Sequence, residues 1–203
     1  MHGGRSMWVV DALRCTARSG LALLLAVAGI TGEACAQAPD MAQAAPPAVL
    51  HPGAVELGIA GTLITVEGIT TGAVVVRGGL FRTAAAGLGG VELAASYRHV
   101  SSLDEAGIEG MITWQRRLGT SATYPFVALA GGWRHEEIGS FGQSRYPAGF
   151  GIGARSLLGQ RSALRVEYQF RRVLGDPIAD FSEHQIIVGL SVFFRNSPAS
   201  AVE

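Results

Sequence analysis

The most constraining feature of the sequence is a strict alternation of side chains near its C-terminus. Within the stretch His184–Phe194, every second residue is apolar: Ile186, Val188, Leu190, Val192 and Phe194. Side chains two residues apart lie on the same face of a β-strand, so this stretch predicts a long strand with one continuous apolar face. That face must meet either lipid or a packed interior, and the rest of the chain decides between the two.

The same alternation recurs through most of the chain. Turn-forming residues separate eight alternating runs, at residues 54–66, 70–82, 89–100, 106–118, 123–135, 147–158, 161–173 and 183–195. Runs of about 12 residues are longer than most soluble strands and suit a tilted crossing of a bilayer. We therefore predict an all-β fold, an eight-stranded antiparallel up-and-down transmembrane β-barrel.

Charged residues within each run keep to one face. In the seventh run, Leu164, Val166, Tyr168 and Phe170 alternate with Arg165, Glu167, Gln169 and Arg171. A shift of one residue would carry the arginines into lipid, at a cost of about 2–4 kcal/mol for each one near the midplane. The fifth run is ambiguous, because Tyr124 and Phe126 share the parity of Arg134.

Composition narrows the class of protein. The chain is 48% hydrophobic and 16% charged, yet no apolar run reaches the ~20 residues of a spanning helix. Its formal net charge of zero gives no indication of a nucleic-acid partner. A soluble, lipocalin-like barrel with its apolar face inward is the alternative. Polar faces rich in Gly and Ala, and Trp114 and Trp133 near run ends, favour the membrane barrel.

The last strand resembles the assembly signal of bacterial outer-membrane β-barrels, which is read by a dedicated assembly machinery. Ile187, Gly189, Val192 and Phe194 stand at its signature positions, although Ile187 replaces a preferred polar residue. Residues 54–195 as a whole resemble the OmpA-type eight-stranded barrels. This resemblance implies an outer-membrane location among lipid and lipopolysaccharide, a monomer, and periplasmic N- and C-termini.

The resemblance also implies which connections face each side. Turns near Ala84–Leu88, Gly119–Ala122 and Leu158–Gln160 would be periplasmic. The outward loops would be Gly68–Thr70, Ser101–Glu105, Glu136–Tyr146 and Leu174–Ser182. Residues 196–203 would form a short periplasmic tail.

The N-terminus has the pattern of an export signal. Arginines precede the apolar run Leu21–Ile30, and small residues follow it. Cleavage after Ala36 is preferred to cleavage after Ala38, because Pro39 would directly follow the second cut. Lipid attachment at Cys35 is the alternative, but the residues before Cys35 match a lipobox poorly. We predict a signal peptide at 1–36, which would remove both cysteines, and a flexible Ala/Pro-rich lead-in at 37–53.

The inward-facing charges form the first candidate site. These residues are Glu56, Arg77, Glu92, Arg98, Glu109, Arg134, Arg155, Arg165, Glu167 and Arg171. Eight strands enclose a lumen that side chains fill, and charges buried there must pair. We predict a salt-bridged plug. A narrow gated pore is the alternative, and an excess of Arg would favour anions in it.

Two weaker sites remain as alternatives. His99 and Ser101 resemble the His-x-Ser pair of outer-membrane lipid A deacylases, in which a Glu orients the His. Two features depart from that family: Glu109 has the parity of the inward face, and Ser102-Leu103 replaces the family's Asn-Ala after the Ser. Asp176, Asp180, Glu183 and His184 are residue types that bind cations, but their spacing matches no established site. No catalytic residue, metal site or cofactor is predicted, and the expected role is structural or interactive at the cell surface.

Overall fold

The computed structural model describes residues 48–101, 103–175 and 180–196. Eight antiparallel strands form a closed barrel in which each strand pairs with its neighbours in the chain and the last pairs with the first. The strands are β1 (Val55–Val66), β2 (Ile69–Ala84), β3 (Gly87–Val100), β4 (Leu103–Gln115), β5 (Thr123–Ile138), β6 (Phe141–Leu157), β7 (Ser162–Leu174) and β8 (Phe181–Phe194). The predicted fold class is confirmed.

The two ends of the barrel are distinguished by where the chain enters and leaves it. We call the end at which β1 begins and β8 ends the near end, and the opposite end the far end. The described part of the chain has no helix with the length and apolarity needed to cross a membrane. The predicted export signal, its cleavage site and both cysteines lie outside the described residues.

Strands extend further at the far end than the sequence predicts. The prediction of a loop at Glu136–Tyr146 is wrong, because β5 continues to Ile138 and β6 begins at Phe141. Gly139, at φ +63°, takes a backbone conformation that suits glycine in this two-residue turn. The predicted loop Ser101–Glu105 is likewise mostly strand, since β4 begins at Leu103. Polar residues at these strand ends alternate as the apolar ones do, so the ladder continues through them.

An apolar cluster closes the near end of the lumen. Phe81 and Phe193 lie at its centre with ring centroids 6.2 Å apart, beside Leu50 and Tyr124. Leu50 is 3% exposed, and its amide donates to the Tyr124 hydroxyl at 2.9 Å. The lead-in was predicted to be flexible as far as residue 53. In the structure, residues 48–53 instead pack against the barrel, because Leu50 fills its near-end mouth.

The C-terminal tail begins one residue later than predicted. Asn196 is 7% exposed, and its side chain accepts from the amide of His51 at 2.8 Å. The same side-chain amide donates to the carbonyls of Val49 at 3.0 Å and Gln160 at 2.7 Å. Asn196 therefore ties the N-terminal segment to the turn between β6 and β7. Residues 197–203 lie outside the described part of the chain.

Candidate functional site

The inward face of the barrel holds two groups of paired charges. The first, which we call the near-end cluster, consists of Glu56, Arg77, Glu92, Arg155, Arg165 and Glu167. Arg155 on β6 makes a two-pronged contact with Glu56 on β1, with Nη2–Oε2 2.9 Å and Nε–Oε1 3.3 Å. Both side chains are fully buried, so each charge must be compensated by opposite charges close to it inside the lumen.

Glu92 is the centre of the near-end cluster. Its carboxylate lies 2.5 Å from Arg165 Nη1, 3.3 Å from Arg155 Nη2 and 3.5 Å from Arg77 Nη1. It also accepts from the Thr113 hydroxyl at 3.1 Å. One carboxylate on β3 therefore joins arginines from β2, β6 and β7. These contacts link opposite walls of the barrel.

The arginines of the near-end cluster also rest on aromatic rings. The Arg165 guanidinium carbon lies 4.5 Å from the Phe126 ring centroid, and that of Arg155 lies 4.8 Å from Phe81. Cations favour the faces of aromatic rings, and the interaction strengthens when water is excluded. The structure thus resolves the ambiguous fifth run: Tyr124 and Phe126 point inward, and the Phe126 ring lies against the guanidinium groups of both arginines.

The second group, the far-end cluster, holds eight charged residues. They are Arg98, Glu105, Glu109, Arg134, Glu136, Arg145, Arg171 and Glu183. Arg134 forks onto Glu183 with Nη2–Oε1 2.8 Å and Nη1–Oε2 3.0 Å. Arg171 pairs with Glu109, and Arg98 with Glu105. Arg145 Nη1 lies 3.1 Å from Glu136 Oε1.

Gln169 connects the two clusters through the middle of the lumen. Its side-chain nitrogen donates to Glu167 Oε1 at 2.6 Å, and its oxygen accepts from Arg171 Nη2. The surroundings at this level include buried apolar side chains such as Met111 and Ile187. Arg165, Glu167, Gln169 and Arg171 follow one another on the inner face of β7. One strand therefore carries a continuous polar column from cluster to cluster.

All ten lumen charges named from the sequence point inward, and sequence reasoning missed four more. The missed residues are Glu105, Glu136, Arg145 and Glu183. They were assigned to loops or strand entries, although each has the inward parity of its strand. With them included, seven Arg and seven Glu line the lumen, so the expected Arg excess is wrong and the anion preference argued from it loses its basis.

The outer face of the barrel is an apolar belt. Exposed outward residues include Leu57, Val91, Ile112, Leu129 and Leu190, each more than half exposed. Trp114 lies toward the near end and Trp133 toward the far end, 41% and 42% exposed. Charges inside and apolar side chains outside reverse the arrangement of a soluble barrel. The lipocalin-like alternative therefore does not fit this structure.

Solved structures share this architecture at low sequence identity. The N-terminal β-barrel domain of Pseudomonas aeruginosa OprF has a TM-score of 0.51 at 14% identity, covering 70% of this chain and 98% of that one. The fold is that of an eight-stranded outer-membrane β-barrel. Neisserial surface protein A has a TM-score of 0.49 at 11% identity, covering 70% of this chain and 96% of that one. The Pseudomonas aeruginosa outer membrane protein OprG has a TM-score of 0.45 at 11% identity, covering 72% and 98%.

Sequence comparison adds no closer relationship. No protein-family model matches the chain, and no curated protein sequence does. The likeness to known structures therefore defines the outer-membrane barrel fold, and the role of this chain must be argued from its own residues.

The closing strand places the predicted assembly residues at the seam of the barrel. Val192 and Phe194 point outward, 48% and 52% exposed, and Phe194 pairs with Val55 of β1. Gly189 points inward and pairs with Ala60. A Cβ at Gly189 would lie 2.5 Å from the Ala60 Cβ and 2.6 Å from the Ile59 carbonyl oxygen. Glycine therefore permits the close approach of β8 and β1.

The alternative catalytic pair of His99 and Ser101 is not assembled in the structure. His99 Nδ1 lies 2.8 Å from Asp104 Oδ1, and the Tyr97 hydroxyl donates to the same oxygen at 2.7 Å. Among the described hydrogen bonds none joins His99 to Ser101, which occupies a turn with φ +55°. Glu109 lies inside the lumen with Arg171 and cannot orient His99. The geometry offers a paired histidine at the strand ends without an activated nucleophile.

The candidate cation ligands separate onto different faces. Glu183 points into the lumen and pairs with Arg134, whereas His184 points outward, with Nδ1 2.6 Å from the Tyr168 hydroxyl. Asp176 lies outside the described residues. Within the described ranges, no group of three or more His, Cys, Asp or Glu side chains is positioned to hold a metal ion.

Proposed function

We propose that this chain is a structural protein of the bacterial outer membrane whose lumen is closed to ions. The observation that carries the proposal is the paired charge network, in which Arg155 and Arg165 are at most 2% exposed and each contacts more than one carboxylate. Moving either arginine to open a path would leave buried carboxylates uncompensated, which is strongly unfavourable.

The location follows from the outer surface. A closed barrel leaves no unpaired strand edge, which a bilayer requires of any spanning sheet. Its apolar belt suits hydrocarbon, and the two outward tryptophans suit the interfaces. In the proposed orientation the near end, with both termini, faces the periplasm, and the surroundings are outer-membrane lipid and lipopolysaccharide. We further propose that the assembly machinery reads β8, and that the protein acts as a monomer.

The far-end connections favour a structural role over recognition of a large surface partner. The turns after β1, β3 and β5 each contain only two residues. Binding residues are found disproportionately on loops that a rigid scaffold holds in place, and these turns offer few such residues. A surface interaction would therefore depend on the strand ends and on the connection between β7 and β8.

Cell fractionation tests the proposed location. The protein should appear in the outer-membrane fraction and migrate faster on a gel when it is not boiled, because an intact barrel resists the detergent. Recovery in the soluble periplasmic fraction would contradict the proposal.

The gated pore remains the second candidate, because two groups of charged side chains occupy the lumen beyond the apolar cluster at its near end. It would require the pairs to exchange partners, and it predicts ion conductance by the purified protein.

The hydrolase alternative predicts a change in lipid A mass on overexpression. His99→Ala should abolish that change if His99 acts as a base, whereas a structural barrel leaves lipid A unchanged.

A further inference from the structure

Exposed charge is distributed unequally between the two ends of the barrel. Exposed arginines lie around the near-end rim: Arg82, Arg116, Arg161 and Arg195. Among the described residues, none of these four forms an ion pair, and no exposed Asp or Glu lies at that rim. The far end carries Glu67, Asp104, Glu137 and Asp180 at its outer edge.

The four arginines are spaced around the circumference. Arg82 lies on the outward face of β2 near its end, Arg116 follows β4, Arg161 precedes β7 and Arg195 follows β8. Two of them continue an apolar row directly: Arg82 lies two residues beyond Leu80, and Arg116 lies two residues beyond Trp114. Arg82 and Arg116 therefore each lie one outward position past the hydrophobic belt, and Arg161 and Arg195 lie at the adjoining strand ends.

This position matches the headgroup level of a bilayer. Arginine side chains extend their alkyl stems along apolar surface and hold the charged group at the polar boundary. Guanidinium groups bind phosphate oxygens through paired N–H donors. An exposed, unpaired guanidinium at the edge of an apolar belt is therefore matched to a lipid phosphate beside it.

We propose that the near-end rim is a binding surface for anionic glycerophospholipid headgroups, whose phosphates the four arginines bind around the barrel. This inference rests on the proposed membrane location and deepens it by naming the lipid class. Arginine near an anionic lipid surface contributes about 1 kcal/mol, which corresponds to about a 5-fold preference. In the proposed orientation this lipid belongs to the periplasmic leaflet.

Trp114 provides a local reporter. It lies across Gly89 from Arg82, since Arg82 pairs with Gly89 and Gly89 pairs with Trp114. With Trp8 and Trp133 replaced by Phe, Trp114 is the sole tryptophan of the full chain. The protein is reconstituted into mixed vesicles in which either phosphatidylglycerol or phosphatidylcholine carries brominated acyl chains, and quenching of Trp114 is compared at low salt.

Because both Arg82 and Arg116 lie near Trp114, brominated phosphatidylglycerol should quench it with an apparent affinity at least about 5-fold higher than brominated phosphatidylcholine. Arg82→Gln combined with Arg116→Gln should reduce the ratio to about 1, whereas the far-end control Arg172→Gln should leave it unchanged. Inorganic phosphate and chloride at equal ionic strength should lower the preference equally. A stronger effect of phosphate would indicate a site for free phosphate and overturn the lipid assignment.

Other outcomes separate this inference from the proposed function. Equal quenching by the two lipids in the protein with all four arginines would overturn the inference while leaving the membrane location intact. The same preference at Trp133, measured with Trp8 and Trp114 replaced by Phe, would show that the effect is not local to the rim and would also overturn it. Absence of quenching by either lipid would overturn both proposals. Slow migration of boiled and fast migration of unboiled variants confirms that each one is folded.

Discussion

Arg165 on β7 and Glu92 on β3 meet across the lumen, with Arg165 Nη1 2.5 Å from Glu92 Oε2. They are separated by 73 residues in the chain and by half of the barrel circumference. Arg165 also donates from Nη2 and Nε to Glu167 on its own strand, at 2.8 and 3.0 Å. One guanidinium thus fastens two walls of the barrel together.

Arg165→Ala should therefore destabilise the barrel. The substitution leaves Glu92 and Glu167 buried with fewer partners, so we expect a loss of about 3–5 kcal/mol in the free energy of unfolding. Urea unfolding in lipid vesicles, followed by tryptophan fluorescence, measures the loss. Arg172→Ala is the matched control, because Arg172 is exposed and donates a long hydrogen bond to the Ser182 hydroxyl at 3.4 Å. Equal losses for the two variants would contradict the central position of Arg165.

Arg145 is a second arginine outside the near-end cluster, but its contacts make it unsuitable as a neutral control for Arg165→Ala. The sequence placed it in a loop, but it belongs to β6, pairs with Glu136 and has its guanidinium carbon 5.0 Å from the Phe181 ring centroid. Its substitution should cost more than that of Arg172.

Gln169→Leu should separate the near-end and far-end clusters. The change removes the donor to Glu167 and the acceptor for Arg171, so two buried charged groups each lose a hydrogen bond. The expected loss is about 1–3 kcal/mol of unfolding free energy. Gln143→Leu is the control, because Gln143 is only partly buried and makes a longer bond of 3.3 Å to Glu136. The prediction is wrong if the control loses as much as Gln169→Leu.

The alternation of the sequence was sufficient to predict the number of strands, the closed barrel and the inward and outward faces of every strand except the fifth. A period of two specifies which side chains share a face, and burial of charge specifies which face is inward. The far-end strand ends were missed, because Glu136 and Arg145 sit among glycines and charges that are typical of loops. Glu136 has the same inward parity as Arg134, and Arg145 has that of Arg155. This parity was the sequence signal that could have assigned both residues to the lumen.

The pairing of individual charges could not be predicted from the sequence. Whether Arg155 meets Glu56 or another carboxylate depends on the stagger between strands, which alternation does not specify. The same applies to Gln169, whose role depends on the charges directly before and after it on β7. The buried position of Asn196 was missed because it depends on contacts with the residues just before β1.

Topology can be tested at the β5–β6 turn. Ser140 is exposed at the far end, and Thr120 is exposed at the near end between β4 and β5. Ser140→Cys should react with an impermeant thiol reagent on intact cells, whereas Thr120→Cys should react only after the outer membrane is opened. The reverse pattern would show that the near end faces outward.

Assembly should depend on the outward aromatic of β8. Phe194→Asp places a charge at the edge of the apolar belt and removes the terminal aromatic, so we expect little folded protein in the outer membrane. Deletion of residues 197–203 is the control and should be tolerated, because it retains Asn196 and its bonds to Val49 and Gln160. Normal assembly of Phe194→Asp together with failure of the deletion would show that the signal lies in the tail.

Conductance of the purified protein in planar bilayers tests the closed lumen most directly. The charges that line the path are paired and buried, and Gln169 links the two clusters, so the folded protein should add no conductance steps to those of the bare bilayer. The sample must migrate as a folded barrel when unboiled, which excludes misfolded protein as the cause of silence. Reproducible conductance steps from such a sample would contradict the closed lumen and support the pore.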